Sequence, residues 1–486
     1  MRFGAIKIRE AVHSEIFILS VAILFATVIS LFVPSKLIAA FGVLIITILL
    51  YIAPPHFVKI VFPMIMITFP ITLQYSGKDA VTTGTLIIFA GLAWALMKYR
   101  IGSTVAHEKF LFSLLFLLVS IAFIGMVTKT SGKYWGPAIR HYVSFLSSVA
   151  VFIFIIHSQK IVESARNHRH YIEKIIVALL WITMVHIGIS LLLFNFQGTE
   201  QYFSVFFHRN QEHLSGYFLN GVFVRATTVF TAGEEFGELL VLLFPFSLYM
   251  TFVSKNKIYF LLSAVLFLGT ILTGTRSAFL IVVFQLGFFV FVLVSRRHVK
   301  SKLVFAAASL AVSIVIVLIF LYYSPVLFNR FRDTIELITN GKNIFSILNR
   351  STTWPVAYDL TTKTISLFGH GPIQACRLGL TAQNFHCLYL SLLFQFGIFG
   401  SVVFFLFFYT LAKRLLQALK KLKDNSPDYL LVMSCLVSFA CFLVNEIKYE
   451  FNRADSYQQL VWIFFALFYL SSQLWRHSSH DKNHFH

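Results

Sequence analysis

Three residues in this sequence pair a chemically capable side chain with a setting that rarely tolerates one. Arg225 lies in Phe223-Val224-Arg225-Ala226-Thr227-Thr228, just ahead of an apolar run starting near Phe236. Arg276 lies in Leu272-Thr273-Gly274-Thr275-Arg276-Ser277-Ala278-Phe279, a short turn between two apolar runs. His386 lies in Asn384-Phe385-His386-Cys387-Leu388-Tyr389-Leu390, where a long polar stretch gives way to another apolar run. A guanidinium is planar, permanently charged and binds phosphate oxygens in pairs. An imidazole is the natural general base near neutral pH. Together they suit chemistry in which an anionic group is held while a neighbouring group gives up a proton. Glu234, Glu235 and Glu238 follow Arg225 and supply an alternative base. They read more simply as favourable charge at a helix N-terminus.

The elements that must position these residues are membrane spans. Of 486 residues, 58% are hydrophobic, 17% aromatic and only 12% charged. A soluble chain carries roughly 25% charged residues. Crossing a hydrocarbon core ~30 Å thick takes about 17–25 apolar residues. Such runs fall near 16–33, 37–53, 57–74, 80–97, 110–127, 139–157 and 175–196. A second set lies near 236–253, 258–274, 277–294, 303–322, 388–411, 429–445 and 457–474. The predicted fold is all-α: a polytopic transmembrane helical bundle of about fourteen spans, with twelve as the alternative. Ala53-Pro54-Pro55-His56 joins the second and third runs, which could instead form a re-entrant pair. The first run has a basic flank but no small-residue cleavage site, so it reads as a retained helix rather than a signal. No linker, repeat or low-complexity tract divides residues 1–486, which read as a single integral membrane domain.

Lys and Arg concentrate in cytoplasmic loops. With a cytoplasmic N-terminus the even-numbered connections are the basic ones. They carry Lys98, Arg100 and Lys109; Lys160, Arg166, Arg169 and Lys174; Lys255 and Lys257; Arg296, Arg297, Lys300 and Lys302; and Lys413, Arg414, Lys420, Lys421 and Lys423. Both termini are then cytoplasmic. The net charge of +20 reads as a topology signal plus contact with anionic membrane lipids, not as nucleic-acid binding. Two external loops are long, at residues 197–235 and 323–387. The second is predicted to carry its own structure, with helical spacing over 344–367 interrupted at Trp354-Pro355 and a turn at Phe368-Gly369-His370-Gly371-Pro372. Long loops with internal structure are commonly functional.

On this topology Arg225, Arg276 and His386 share one side and one depth. Singly, Arg225 equally reads as a snorkelling anchor, and a histidine at a helix entrance is more often an interface residue. Arg276 is flanked only by Thr, Gly and Ser in a turn too short to lift it far into water. The coincidence of the three favours function. Cys435 and Cys441 lie in one apolar span and read as packing. Cys376 and Cys387 fall in or beside the large external loop, where a disulfide between them is permitted. No Cys/His metal spacing is seen, and the terminal His477, His480, His484 and His486 read as a solvated cytoplasmic tail.

These stretches resemble the bacterial O-antigen ligase and O-antigen polymerase family. Residues 225–245, RATTVFTAGEEFGELLVLLFP, look like the family's Arg-containing loop and the span after it. Residues 273–280, TGTRSAFL, look like its Thr/Ser-Arg turn. Residues 386–400, HCLYLSLLFQFGIFG, resemble its His-Asn-x-Tyr-Leu entrance and following glycine pattern, with Cys387 where Asn is usual. Arg350 and the Gly369-His370-Gly371 turn are similar to its external-loop pattern. The resemblance covers about residues 220–405, and the N-terminal half matches only in hydropathy.

The resemblance implies an enzyme of the bacterial inner membrane with its active site facing the periplasm. The implied donor is a glycan on undecaprenyl diphosphate. The implied acceptor is a sugar hydroxyl on another lipid-linked repeat (a polymerase) or on lipid A–core (a ligase), with a slight lean to polymerase. Arg225 and Arg276, with Arg350 as a further candidate, would bind the diphosphate, and His386 would act as general base. The first external connection, Pro34-Ser35-Lys36, lacks the carboxylates that hold a divalent ion in many lipid-linked glycosyltransferases. The expectation is therefore metal-independent, cofactor-free and inverting transfer. A lipid-linked oligosaccharide flippase or other transporter is the alternative, although such proteins place charge at the midplane and show repeated halves. A cell-wall glycan polymerase using Asp333 or Asp359 fits the motifs poorly.

Overall fold

The computed structural model describes residues 47, 57–69, 72–75, 78–98, 108–162, 168–195, 218–219, 222–223, 233–254, 256–295, 345–364, 366–381, 385–424, 426–447, 450–451 and 454–476. Twelve helices lie within them. In chain order they are α1 (Val58–Thr68), α2 (Thr83–Lys98), α3 (Lys109–Lys129), α4 (Trp135–Val162), α5 (His168–Asn195) and α6 (Gly233–Val253), then α7 (Ile258–Leu272), α8 (Arg276–Ser295), α9 (Phe345–Lys363), α10 (Leu388–Lys421), α11 (Pro427–Asn445) and α12 (Asp455–Ser471). Two small antiparallel hairpins complete the described residues, β1 (Thr72–Tyr75) with β2 (Lys78–Thr82) and β3 (Phe218–Leu219) with β4 (Val222–Phe223). Six of the described helices are long and apolar enough to cross a membrane: α3, α4, α5, α6, α10 and α11. The expected spans at 16–33, 37–53 and 303–322 lie outside the described residues, apart from residue 47.

Local sequence sets the element ends. Helix α11 starts on Ser426, whose hydroxyl accepts from the Tyr429 amide at 3.1 Å, with Pro427 and Asp428 in the first turn. That is a strong N-terminus on three counts: a capping side chain, a proline needing no hydrogen bond, and a charge favoured by the helix dipole. The expected span 57–74 differs from what forms. Helix α1 stops at Thr68, with Phe69 out of helical conformation ahead of Pro70, and the chain continues into the β1–β2 hairpin. A proline disfavours helix for the residue before it, and this shortens the element.

The bundle is organised around α12, which is buried along its whole length. It packs chiefly on α4, and also on α11, α10, α5 and α1. Helix α6 packs on α7, α11 and α8, and α3 packs on α10. Apolar burial gives no driving force in lipid, so such helices hold together through close van der Waals contact and buried polar bonds. Both occur here. Phe145, Phe152 and Phe407 meet Trp462 at ring-centroid distances of 5.5–6.2 Å. Gln459 donates to Thr85 Oγ1 at 3.0 Å and Ser147 Oγ at 2.7 Å, tying α12 to α2 and α4.

The two ends of the bundle differ in chemistry. At one end Glu108 accepts from Arg414 at 2.5 Å and from Arg476 at 3.4 Å. There too Arg169 meets Asp428 at 3.3 Å, and Tyr249 donates to Glu173 at 2.6 Å. The opposite end gathers the start of α6, the α7–α8 turn, the loop after α11 and His386.

Candidate active site

The site can be built from α6 outward. This helix opens Gly233-Glu234-Glu235, with Glu238 one turn on. Glu235 and Glu238 are buried, and Glu234 is half-buried. Carboxylates are favoured at a helix N-terminus. Gly237 lies against Thr273 and Thr275, where any Cβ would come within about 3.1 Å of their side chains. Thr275 Oγ1 donates to the Gly233 carbonyl at 3.2 Å. Its turn is tightened by Gly274 at φ 61°, a conformation natural to glycine. The next residue, Arg276, begins α8. The arginine turn and the glutamate turn, read separately in the sequence, are therefore one structural unit.

Helix α11 joins this unit. Ser438 Oγ donates to the Leu242 carbonyl at 2.9 Å. Since α6 and α11 run in opposite directions, Asn445 and Glu446 reach the level of Glu235 and Glu238. The segment after α11 then meets His386. The His386 amide donates to Glu450 Oε1 at 3.1 Å. The Leu388 amide donates to the Glu446 carbonyl at 3.0 Å, and Glu446 Oε2 accepts from the Phe451 amide at 2.8 Å. Glu446 and Glu450 are both buried, at 0% and 1% exposure.

Helix α10 is not the straight span 388–411 that hydropathy suggests. Gly397, at φ 66°, breaks it into two arms. Tyr389 stacks on Phe405 at 6.0 Å, and Phe396 meets Phe404 at 4.9 Å. A straight helix would hold residues 389 and 405 roughly 24 Å apart. The chain therefore dips with His386 at its low point, rises to Gly397 and turns down again. Backbone groups freed by the break find partners in the segment just before the Gly369-His370-Gly371 turn and in the turn itself. Ile398 and Phe399 donate to the Ser366 and Leu367 carbonyls, and His370 donates to the Phe394 carbonyl, each at 3.1 Å. Unpaired backbone groups are costly at membrane depth, so this turn completes the break.

The Gly369-His370-Gly371 turn forms as expected, with both glycines at positive φ. It wedges between α3 and the break, against Gly125, Met126 and Gly397. His370 stacks on Phe394 at 4.3 Å. Burial holds its imidazole below the ordinary value, the hydrogen bond to the Phe394 carbonyl opposes that, and Lys129 adds to it. Helix α9 runs unbroken through Pro355, where the sequence suggested an interruption. Its Ala357 packs with Ala375, Phe385 and Phe394 in a small apolar cluster that anchors the residue before His386. Cys376 and Cys387 are not joined in a disulfide, and neither are Cys435 and Cys441, both of which are buried. Burial pushes the Cys387 thiol up; amides of Leu390 and Tyr389 oppose this, and Glu450 and Glu446 reinforce it. A thiol kept protonated is a poor nucleophile.

His386, Glu234, Glu235, Glu238 and the backbone of Arg276 thus share one end of the bundle. The backbone of Arg350 lies in α9. Arg225 lies outside the described residues, as do the side chains of Arg276 and Arg350. Sequence reasoning passed over Glu446, Glu450 and Asp455, the last 4.0 Å from His141. A signal existed: three acids within ten residues, in a chain with few, just beyond an apolar run. Residues 258–405 match the family model for O-antigen ligase. The match takes in the Arg276 turn, Arg350 and His386, whereas α6 and Arg225 precede it. No curated protein matches the chain.

Proposed function

We propose that this member of the O-antigen ligase family, assigned on residues 258–405, transfers a glycan from undecaprenyl diphosphate to a sugar hydroxyl at the periplasmic face of the inner membrane. A membrane glycan-transfer role follows from the family. The donor, the face and the residues are our reading. The observation that carries it is that the family segment contributes both the Thr275-Arg276 turn and His386 to one end of the bundle. The opposite end holds Lys420, Lys421, Arg414, Arg476 and Arg169, as a cytoplasmic face should. The full topology we propose has about fourteen spans, with both termini cytoplasmic.

In this mechanism Arg276 and Arg225 hold the diphosphate and stabilise the charge that grows on it as the anomeric C–O bond breaks. His386 takes the proton of the acceptor hydroxyl, whose oxygen forms the new bond to the anomeric carbon. Undecaprenyl diphosphate leaves. None of these residues is assigned as a covalent nucleophile, so the reading is a single displacement that inverts the anomeric centre. Arginines supply the positive charge that a divalent cation would otherwise bring.

The deciding experiment supplies purified protein with a lipid-linked repeat, with and without lipid A–core. Longer lipid-linked chains identify a polymerase, the reading that span count and length favour slightly. Transfer only when lipid A–core is present identifies a ligase. Conversion of neither would overturn the assignment.

A further inference from the structure

His386 has φ 53°, and it is the one non-glycine residue at positive φ among the described residues. A side chain with a Cβ is disfavoured there, and such outliers persist only where the surroundings impose them. Four groups impose this one. Glu450 Oε1 takes the His386 amide at 3.1 Å. The Glu446 carbonyl takes the Leu388 amide at 3.0 Å. Phe385 is locked against Phe394 at 5.5 Å, and Cys387 is buried. Glu446 also closes its own loop through the Phe451 amide at 2.8 Å, which fixes where Glu450 sits.

Glu450 is buried, at 1% exposure, so the acceptor that meets the His386 amide is held in place by its surroundings. Glu450 holds the amide on one side of His386 and the Glu446 carbonyl holds the Leu388 amide on the other, and together they restrict φ and so the direction of the Cα–Cβ bond. We infer that Glu450, braced by Glu446, is a positioning residue that holds the His386 backbone in its left-handed conformation and so aims the imidazole at the acceptor hydroxyl. The inference rests on the reading of His386 as general base.

The test uses the full-length protein in lipid nanodiscs. Its probe is the lipid-linked glycan pool extracted from cells in which the gene for this chain is deleted. Glu450→Met keeps the length of the side chain and loses the acceptor oxygen. Glu450→Gln keeps an acceptor. Glu450→Ala serves if the methionine variant does not purify as a monodisperse protein. Misplacing a catalytic group by an ångström costs on the order of a hundredfold, so Glu450→Met lowers kcat by roughly tenfold to a hundredfold at unchanged donor KM. Glu450→Gln restores kcat to within about threefold of wild type, because its amide oxygen can accept the same bond. Equal kcat in the methionine and wild-type proteins, or equal loss in the methionine and glutamine variants, overturns the inference alone, provided His386→Ala slows turnover by about a hundredfold or more. A His386→Ala variant that keeps most turnover, or a wild-type protein that does not convert the pool, overturns the functional reading and the inference with it.

Discussion

Thr275 Oγ1 reaches the Gly233 carbonyl across 3.2 Å and forty-two residues of chain. Through that bond the turn that launches Arg276 sits on the first turn of α6, where Glu234, Glu235 and Glu238 cluster. The bond therefore seats the start of α8 beside the acidic start of α6.

Roles at the site should separate kinetically. Arg276→Lys keeps the charge and loses the planar fork, so donor affinity and rate should fall together. His386→Ala should leave donor binding near normal and slow turnover by about 10²–10⁴-fold, the usual range for a lost general base. Donor binding and single-turnover rates on the same preparations distinguish the two. Retention of most turnover by His386→Ala would make Glu235 the leading base.

Chelation should not matter. Activity is expected to persist in EDTA, since the proposed arginines supply the positive charge. Loss on chelation with recovery in magnesium or manganese would remove that role from them.

Topology is testable residue by residue. Cysteines placed at Lys133, Lys342 and Asn452 should react with an impermeant thiol reagent in intact spheroplasts, against a background lacking native Cys376 and Cys387. Cysteines at Lys257, Arg297 and Lys421 should react only after lysis. Labelling of the second group in intact cells would put the proposed site on the wrong face.

The break in α10 should tolerate only glycine. At Gly397 a Cβ would collide with the Ser366 carbonyl oxygen, and the positive φ is itself unfavourable by roughly 1–2 kcal/mol. Gly397→Ala should lower the melting temperature in detergent by several degrees and reduce activity. Gly136→Ala is the control, because a Cβ there meets nothing within 4 Å. Equal melting of the two variants would contradict the folded-back geometry.

The far end of the bundle should matter for stability and not for chemistry. Glu108 is 5% exposed in its side chain and pairs with Arg414. Removing one partner of a fully buried pair costs about 3–5 kcal/mol, and the 22% exposure of the Arg414 side chain lets solvent offset part of that here. Glu108→Ala should therefore melt well below wild type with donor KM unchanged. A changed KM with normal melting would mean that this end communicates with the substrate.

The membrane character of the chain, the alternation of basic connections and the three candidate residues were legible in the sequence alone. Hydropathy and charge act through local composition, and the guanidinium and imidazole groups announce their chemistry wherever they stand. The expected external turn at Gly369-His370-Gly371 was legible for the same reason: glycine spacing marks positive φ. Three features were decided only by tertiary structure. Hydropathy read 388–411 as one span, since an apolar run does not say whether its halves point the same way. The turn at Gly397 becomes visible only when Tyr389 lies on Phe405. The pairing of the Arg276 turn with the start of α6 depends on Gly237 leaving room for the Thr273 and Thr275 side chains against the helix. The link from Glu450 to His386 spans sixty-four residues, and it exists because α11 returns the chain to the depth at which α10 begins. Contacts between distant segments depend on which helix faces pack, and periodicity along one segment carries no record of its neighbour.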